Sequence, residues 1–189
     1  MVWLTRKQLK SMGFASLGEH VLISDKASIY GAESISIGNH VRIDDFCVLS
    51  AGDGGIHLGN YIHIAVFSSL IGQGKIVLEN FCGLSSRVSI YSSNDDYSGV
   101  ALTNPMVPDA FKAVTHGSVV LEKHVIIGSG SIVLPNVRLG IGCAIGALTL
   151  VTRDCEPFGV YWGVPAKRVR ERKRGMLELE ISLLKDSDN

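Results

Sequence analysis

Aliphatic residues recur along this chain at intervals of six. Leu17, Ile23 and Ile29 form a first trio, followed by Ile37, Ile43 and Leu49, by Leu58, Ile64 and Leu70, and by Leu78, Leu84 and Ile90. After an interruption come Leu121, Ile127 and Val133, then Leu139, Ile145 and Val151. Between the early trios the step is eight or nine residues, so the additional residues always enter at one corner. A fixed corner predicts a three-sided coil, whereas simple alternation would predict ordinary strands. Four positions after most of these residues stands a second, usually small one: Ala27, Val41, Cys47, Ile62, Ser68, Cys82, Val88, Val125, Ser131, Val137, Cys143 and Thr149. The pattern therefore predicts about six coils of short parallel strands, two residues of each hexapeptide facing inward and stacking on their counterparts above and below.

The turns carry Gly38-Asn39, Gly59-Asn60 and Glu79-Asn80, where glycine and asparagine tolerate positive φ. His20, His40 and His124 share one slot, three residues after a coil-opening aliphatic. Equivalent corners are strung along one edge of the prism, so these histidines read as solvated turn residues rather than converging metal ligands.

The repeat fails twice. Leu121 follows Ile90 by 31 residues where one step would be six, and a long excursion from a rigid scaffold points to function. After Val151 the pattern stops, and a helix is predicted from Pro165 onward, proline suiting a first turn. The organisation read this way is an N-terminal segment over 1–16, a β-helix over 17–156 with an inserted loop at 91–120, and a C-terminal turn and helix over 157–189.

Charge narrows the partners. Eighteen basic and eighteen acidic residues balance, so no overall field draws nucleic acid or an anionic membrane. Six of the eight residues from 167 to 174 are basic, a local cluster suited to the phosphates of a small ligand. No apolar run is long enough to span a membrane, and the first twenty residues lack the apolar core of a signal peptide. Cys47, Cys82, Cys143 and Cys155 form no C-x-x-C pair and read as core thiols in a reducing cytoplasm.

Repeats of the IGNHVR and IGSGSI type, a loop thrown out between coils, and the ending VTRD…GVPAKRVRER resemble the left-handed β-helix acyltransferases. Within them, the galactoside/maltose acetyltransferase-like branch and its relatives in bacterial surface-polysaccharide pathways are the most similar. The resemblance covers about residues 17–172 and implies an all-β, left-handed parallel β-helix. The left hand rests on the resemblance alone, because the usual crossover preference is right-handed. It further implies a homotrimer with an active site in each cleft between prisms, acetyl-CoA as cosubstrate, and no metal. Carried over by position, Ser129 and Ala147 are small residues beside the pantetheine arm, one coil apart. Thr152, Arg153, Lys167 and Arg170 would contact the ribose and phosphates.

The O-acetyltransferases of that branch place a histidine, followed by proline, at the mouth of the inserted loop; here the slot holds Asn94-Asp95. An alcohol needs a base as it attacks a thioester, whereas a neutral amine needs positioning and later proton removal. The stretch YSSNDDYSG is similar to enzymes acetylating dideoxy-aminohexoses on dTDP, which implies N-acetylation of a nucleotide-linked amino-deoxysugar. A sugar O-acetyltransferase using His63 or His116 as base is the alternative. His63 and Asp95 could meet across a cleft between subunits, and His116 ends the loop. A zinc enzyme like the γ-carbonic anhydrases would need three interfacial histidines, and no pair here has the close spacing that requires. A non-catalytic assembly module would need neither the loop nor the basic ending.

Overall fold

A computed structural model describes residues 2–187. Its strands form three parallel sheets, one for each face of a prism. The first face runs from Ser16–Leu17 to Val137–Leu139, the second from Leu22–Ile23 to Gly159–Trp162, and the third from Ser28–Tyr30 to Leu150–Val151. The registers stack the periodic aliphatics on one another: Ile37 on Leu58, Leu58 on Leu78, Leu78 on Leu121, and Leu121 on Leu139. These residues are buried from Ile37 onward, while Leu17 and Ile29 are partly covered near the first coil. Six coils are complete. A seventh begins beyond the legible pattern, with Cys155 bridged to Leu139 and Gly159–Trp162 parallel to Ala144–Ile145.

The small inward residues bind backbone as well as filling space. Ser68 Oγ donates to the Ser85 carbonyl at 3.0 Å and Ser131 Oγ to that of Gly146 at 2.9 Å. Cys47 and Cys82 make the equivalent thiol contacts to Ala65 and Glu122 at 3.2 Å. Each bond satisfies a turn carbonyl at a corner, where a buried polar group without a partner is costly.

The turns depart from expectation in one respect. Positive φ falls on the residue after the asparagine, at His40 (56°), Tyr61 (58°) and Phe81 (64°), with His124 (63°) in the same slot. The asparagines instead bridge coils: Asn60 Oδ1 accepts from the Asn39 amide and Asn80 Oδ1 from the Asn60 amide, both at 2.8 Å. Glycine precedes Asn39 and Asn60 because there is no room for more; a Cβ on Gly59 would lie 2.5 Å from Asn80 Oδ1.

Rings in the positive-φ slot stack along the edge from His20 through His40, Tyr61 and Phe81 to His124, with centroids 4.6–5.0 Å apart. His20 and His40 are exposed, as expected of turn residues. His124 is not: it is buried, and its Nε2 meets Glu180 Oε2 at 2.7 Å.

Both ends carry elements that the repeat did not announce. Helix α1 (Arg6–Ser11) opens on a capping box between Thr5 and Gln8 and inserts Leu9 into the core at the first coil. At the other end the predicted helix does not start at Pro165. Lys167–Glu171 is a strand returning antiparallel to Gly159–Trp162. That last strand of the second face would otherwise present unpaired amides and carbonyls, and completing it outweighs helix propensity. Helix α2 (Met176–Ser187) follows, tied to the prism by Glu180, which accepts from Lys123 Nζ and meets His124.

Candidate active site

The inserted loop leaves the third face as a short hairpin, Ser93–Asn94 pairing antiparallel with Thr115–His116. Ser93 Oγ accepts from the Gln73 amide at 2.8 Å and lies 2.8 Å from His116 Nδ1, so the loop's two stems are fastened to each other and to the coil beneath. Between the loop and the third face lies a cleft of about 890 Å³, lined in part by Asp53, Gln73, Ser93, Lys112 and His116. Asn94 ends the hairpin strand, its carbonyl accepting from the Thr115 hydroxyl at 3.4 Å, and Asp95 follows; both are exposed. Asp96 organises the loop beyond them. It accepts from the amides of Ser98, Val100 and Ala101 at 2.9–3.1 Å. The Ser98 side chain first, then these amides, hold its carboxyl down at about 2.

His63 belongs to the second face, in the strand Ile62–Ile64. It is half-exposed and borders two shallow clefts, of about 450 and 380 Å³, which also share Gly83 and Ile126. The smaller continues to Ser85, Ser86 and Ser129. Ser129 and Ala147 are exposed at one corner on successive coils, the Leu148 amide donating to the Ser129 carbonyl at 2.9 Å. Gly128 makes this approach possible, since a Cβ there would meet the Ala147 nitrogen at 2.5 Å. Thr152 and Arg153 follow the last strand of the third face, and Lys167 and Arg170 lie on the return strand; all four are exposed. Within one prism, therefore, His63 and Ser129 share a groove, while Asn94, Asp95 and His116 sit on the loop that leaves a different face.

Sequence reasoning missed Asp44. It is buried at the corner after Val41–Ile43, with His63 Nε2 2.9 Å from its Oδ2 and Arg42 Nε donating to its Oδ1 at 2.6 Å. Burial would raise its pKa, yet the bonds from Arg42 and His63 together bring it below the usual carboxylate value. A signal for it existed. The residue after each inward aliphatic of the second face is Ser24, Asp44, Ala65, Ser85, Gly128 or Gly146, and only one of these is charged. Cys47 and Cys82 offer no nucleophile here: burial pushes the first thiol up to about 11 and the second to about 12. Among the described residues, no group of three or more His, Cys, Asp or Glu side chains could hold a metal ion, and no helix is long and apolar enough to cross a membrane.

No protein-family model matches the chain. Individual proteins do. Over 180 residues it is 59% identical to a dTDP-4-amino-4,6-dideoxy-D-glucose acyltransferase of Escherichia coli, covering 95% of this chain and 94% of that one. The chain belongs to the left-handed β-helix, hexapeptide-repeat acyltransferases. It is accordingly an acyl-CoA-dependent enzyme. The same fold, with 45% identity and a TM-score of 0.93, occurs in AntD, an N-acyltransferase from Bacillus cereus solved with dTDP and 3-hydroxybutyryl-CoA; 99% of this chain and 98% of that one are covered. A variant of AntD solved with dTDP-4-amino-4,6-dideoxyglucose and coenzyme A matches equally well, at a TM-score of 0.93 and 45% identity over 97% of this chain and 98% of that one. Among these acyltransferases, the left hand implied by the sequence resemblance holds despite the general preference for right-handed crossovers.

Proposed function

We propose that this acyltransferase moves an acetyl group from acetyl-CoA to the amine of a dTDP-linked 4-amino-4,6-dideoxyhexose destined for a surface polysaccharide. The observation that carries this reading is the 59% identity, over nearly the full length of both chains, to an enzyme named for that acceptor. Asn94-Asp95 at the loop mouth agrees with it, since an exposed amide and carboxylate can hold and polarise an amine. The pantetheine arm runs in the second-face groove past Ser129 and Ala147. Thr152, Arg153, Lys167 and Arg170 bind the phosphates and ribose. His63 takes the proton that the amine loses on acylation, and His116 holds the loop stem through Ser93.

The working unit is a homotrimer. A single prism carries the groove on one face and the loop on another, and packing prisms side by side would bring His63 of one against Asn94 and Asp95 of the next. The enzyme works in the cytoplasm, a compartment that suits four buried free thiols.

The test is to incubate the protein with acetyl-CoA and a panel of dTDP- and UDP-linked amino-deoxysugars alongside simple galactosides, following release of free thiol. Turnover confined to the dTDP-linked amines is expected. Turnover only with hydroxyl acceptors would refute amine transfer.

A further inference from the structure

On the second face His63 belongs to an array with two further residues, Asp44 and Arg42, to which the proposed reaction gives no role. Asp44 is 4% exposed and holds two partners at once, Arg42 on Oδ1 and His63 on Oδ2. Arg42 is in turn backed by the Trp3 ring, its guanidinium carbon 5.3 Å from the ring centroid. The Asp44 amide is fixed as well, donating to the Ile64 carbonyl at 3.0 Å. A buried carboxylate held ionised by a guanidinium accepts hydrogen bonds and cannot donate them. His63 Nε2 must therefore carry the proton in that contact, which leaves Nδ1 as the unprotonated nitrogen. Nδ1 makes no hydrogen bond among the described residues, and the ring borders both second-face clefts.

We infer that Asp44, supported by Arg42, is a positioning residue that fixes His63 in the Nε2–H tautomer, so that Nδ1 accepts the acceptor's proton during acyl transfer. The inference rests on the role given to His63 above. In the step itself the amine nitrogen attacks the thioester carbonyl carbon; the C–N bond forms and the C–S bond breaks. The proton lost by the ammonium nitrogen passes to His63 Nδ1 and from there to the departing thiolate, giving the amide and free coenzyme A. Asp44 touches none of the reacting atoms. It sets which nitrogen is free and balances the imidazolium while it exists.

Two measurements test this. In wild-type protein with 15N-labelled histidine, the nitrogen shifts of His63 at neutral pH should report a proton on Nε2, and Asp44→Asn should weaken that preference. In steady-state kinetics Asp44→Asn should lower kcat about 10- to 100-fold, less than the 10²–10⁴ of a complete general base, with KM for acyl-CoA unchanged. In a His63→Gln background the same substitution should have little further effect. A proton on Nδ1 in the wild-type spectrum overturns the inference without recourse to any variant. So does an Asp44→Asn enzyme with wild-type kcat beside a slow His63→Gln enzyme, and in that case the role of His63 survives. If His63→Gln retains wild-type kcat, that role falls and the positioning role falls with it.

Discussion

Gly83 separates the demands of the fold from those of the site. It pairs with His63 on one side and Ile126 on the other, and a Cβ built on it would meet nothing within 4 Å. Its slot on neighbouring coils holds Leu22, Arg42, His63, Ile126 and Ala144, so the prism itself accepts side chains there. Gly83→Val should therefore fold. Replacing glycine in a strand by a β-branched residue removes about 0.5–1 kcal/mol of unfolded-state advantage. At roughly 2–4 °C per kcal/mol for a chain of this size, the melting temperature should rise by about 1–4 °C. The added methyls would, however, fill the notch beside His63 that both second-face clefts share. If the pantetheine arm lies there, coenzyme A affinity should fall at least tenfold, about 1.4 kcal/mol, and turnover with it. Calorimetric titration with coenzyme A and a thermal melt on the same sample provide both numbers. Unchanged affinity and turnover would refute the placement of the arm, and a lower melting temperature would show that the notch is not free space. Gly59→Ala is the contrasting control, because its Cβ would strike Asn80 Oδ1 and should cost about 1–3 kcal/mol with no direct effect on the groove.

Ser68→Ala should strip the Ser85 carbonyl of its 3.0 Å donor and cost about 1–3 kcal/mol, while Ser68→Cys, imitating Cys47 and Cys82, should recover part of the loss; equal melting of the two variants would refute the corner-bond account. Because the Asp96 carboxyl lies at about 2 in the folded loop against 3.8 ordinarily, its contribution is complete above 3.8 and lost as pH falls through 2. Asp96→Ala should accordingly speed hydrogen exchange at Ser98, Val100 and Ala101 several-fold at neutral pH, and raise KM for the sugar more than for acyl-CoA. Glu180→Gln should release α2 to proteolysis while the prism melts as before. Burial raises the Glu180 carboxyl, but bonds from Lys123 and His124 more than offset it, so the clamp holds above about 4.5 and weakens as pH falls below that value.

How far the sequence reveals this protein depends on whether a residue obeys the repeat. Inward positions such as Ile64, Ser68 and Leu70 were readable because the six-residue step fixes both their spacing and their direction. The inserted loop was readable for the same reason, as a failure of that step. The return strand Lys167–Glu171 was not, because its partner is an exposed sheet edge, and no local pattern in GVPAKRVRE announces an edge to be covered. Helix α1 stood outside the repeat too, yet its Thr5-to-Gln8 capping box is a local signature and could have been read.

The site follows the same logic one level down. Ser129 and Ala147 were placed by the family resemblance and not by the repeat, and their small size suits any tight corner, so the pattern alone cannot distinguish a cofactor groove from packing. Asp44 differs, since a buried carboxylate carries a desolvation cost that packing never requires. In a stacked prism every slot has several internal homologues, and a residue more costly than its homologues must be retained for what it binds. By that criterion Asp44, in a slot otherwise holding serine, alanine or glycine, is a stronger pointer to chemistry than the histidines on the ring-stacked edge. Gly83 is the converse case: its homologues carry side chains and nothing in the fold excludes one, so the space it leaves belongs to the groove and not to the packing of the prism.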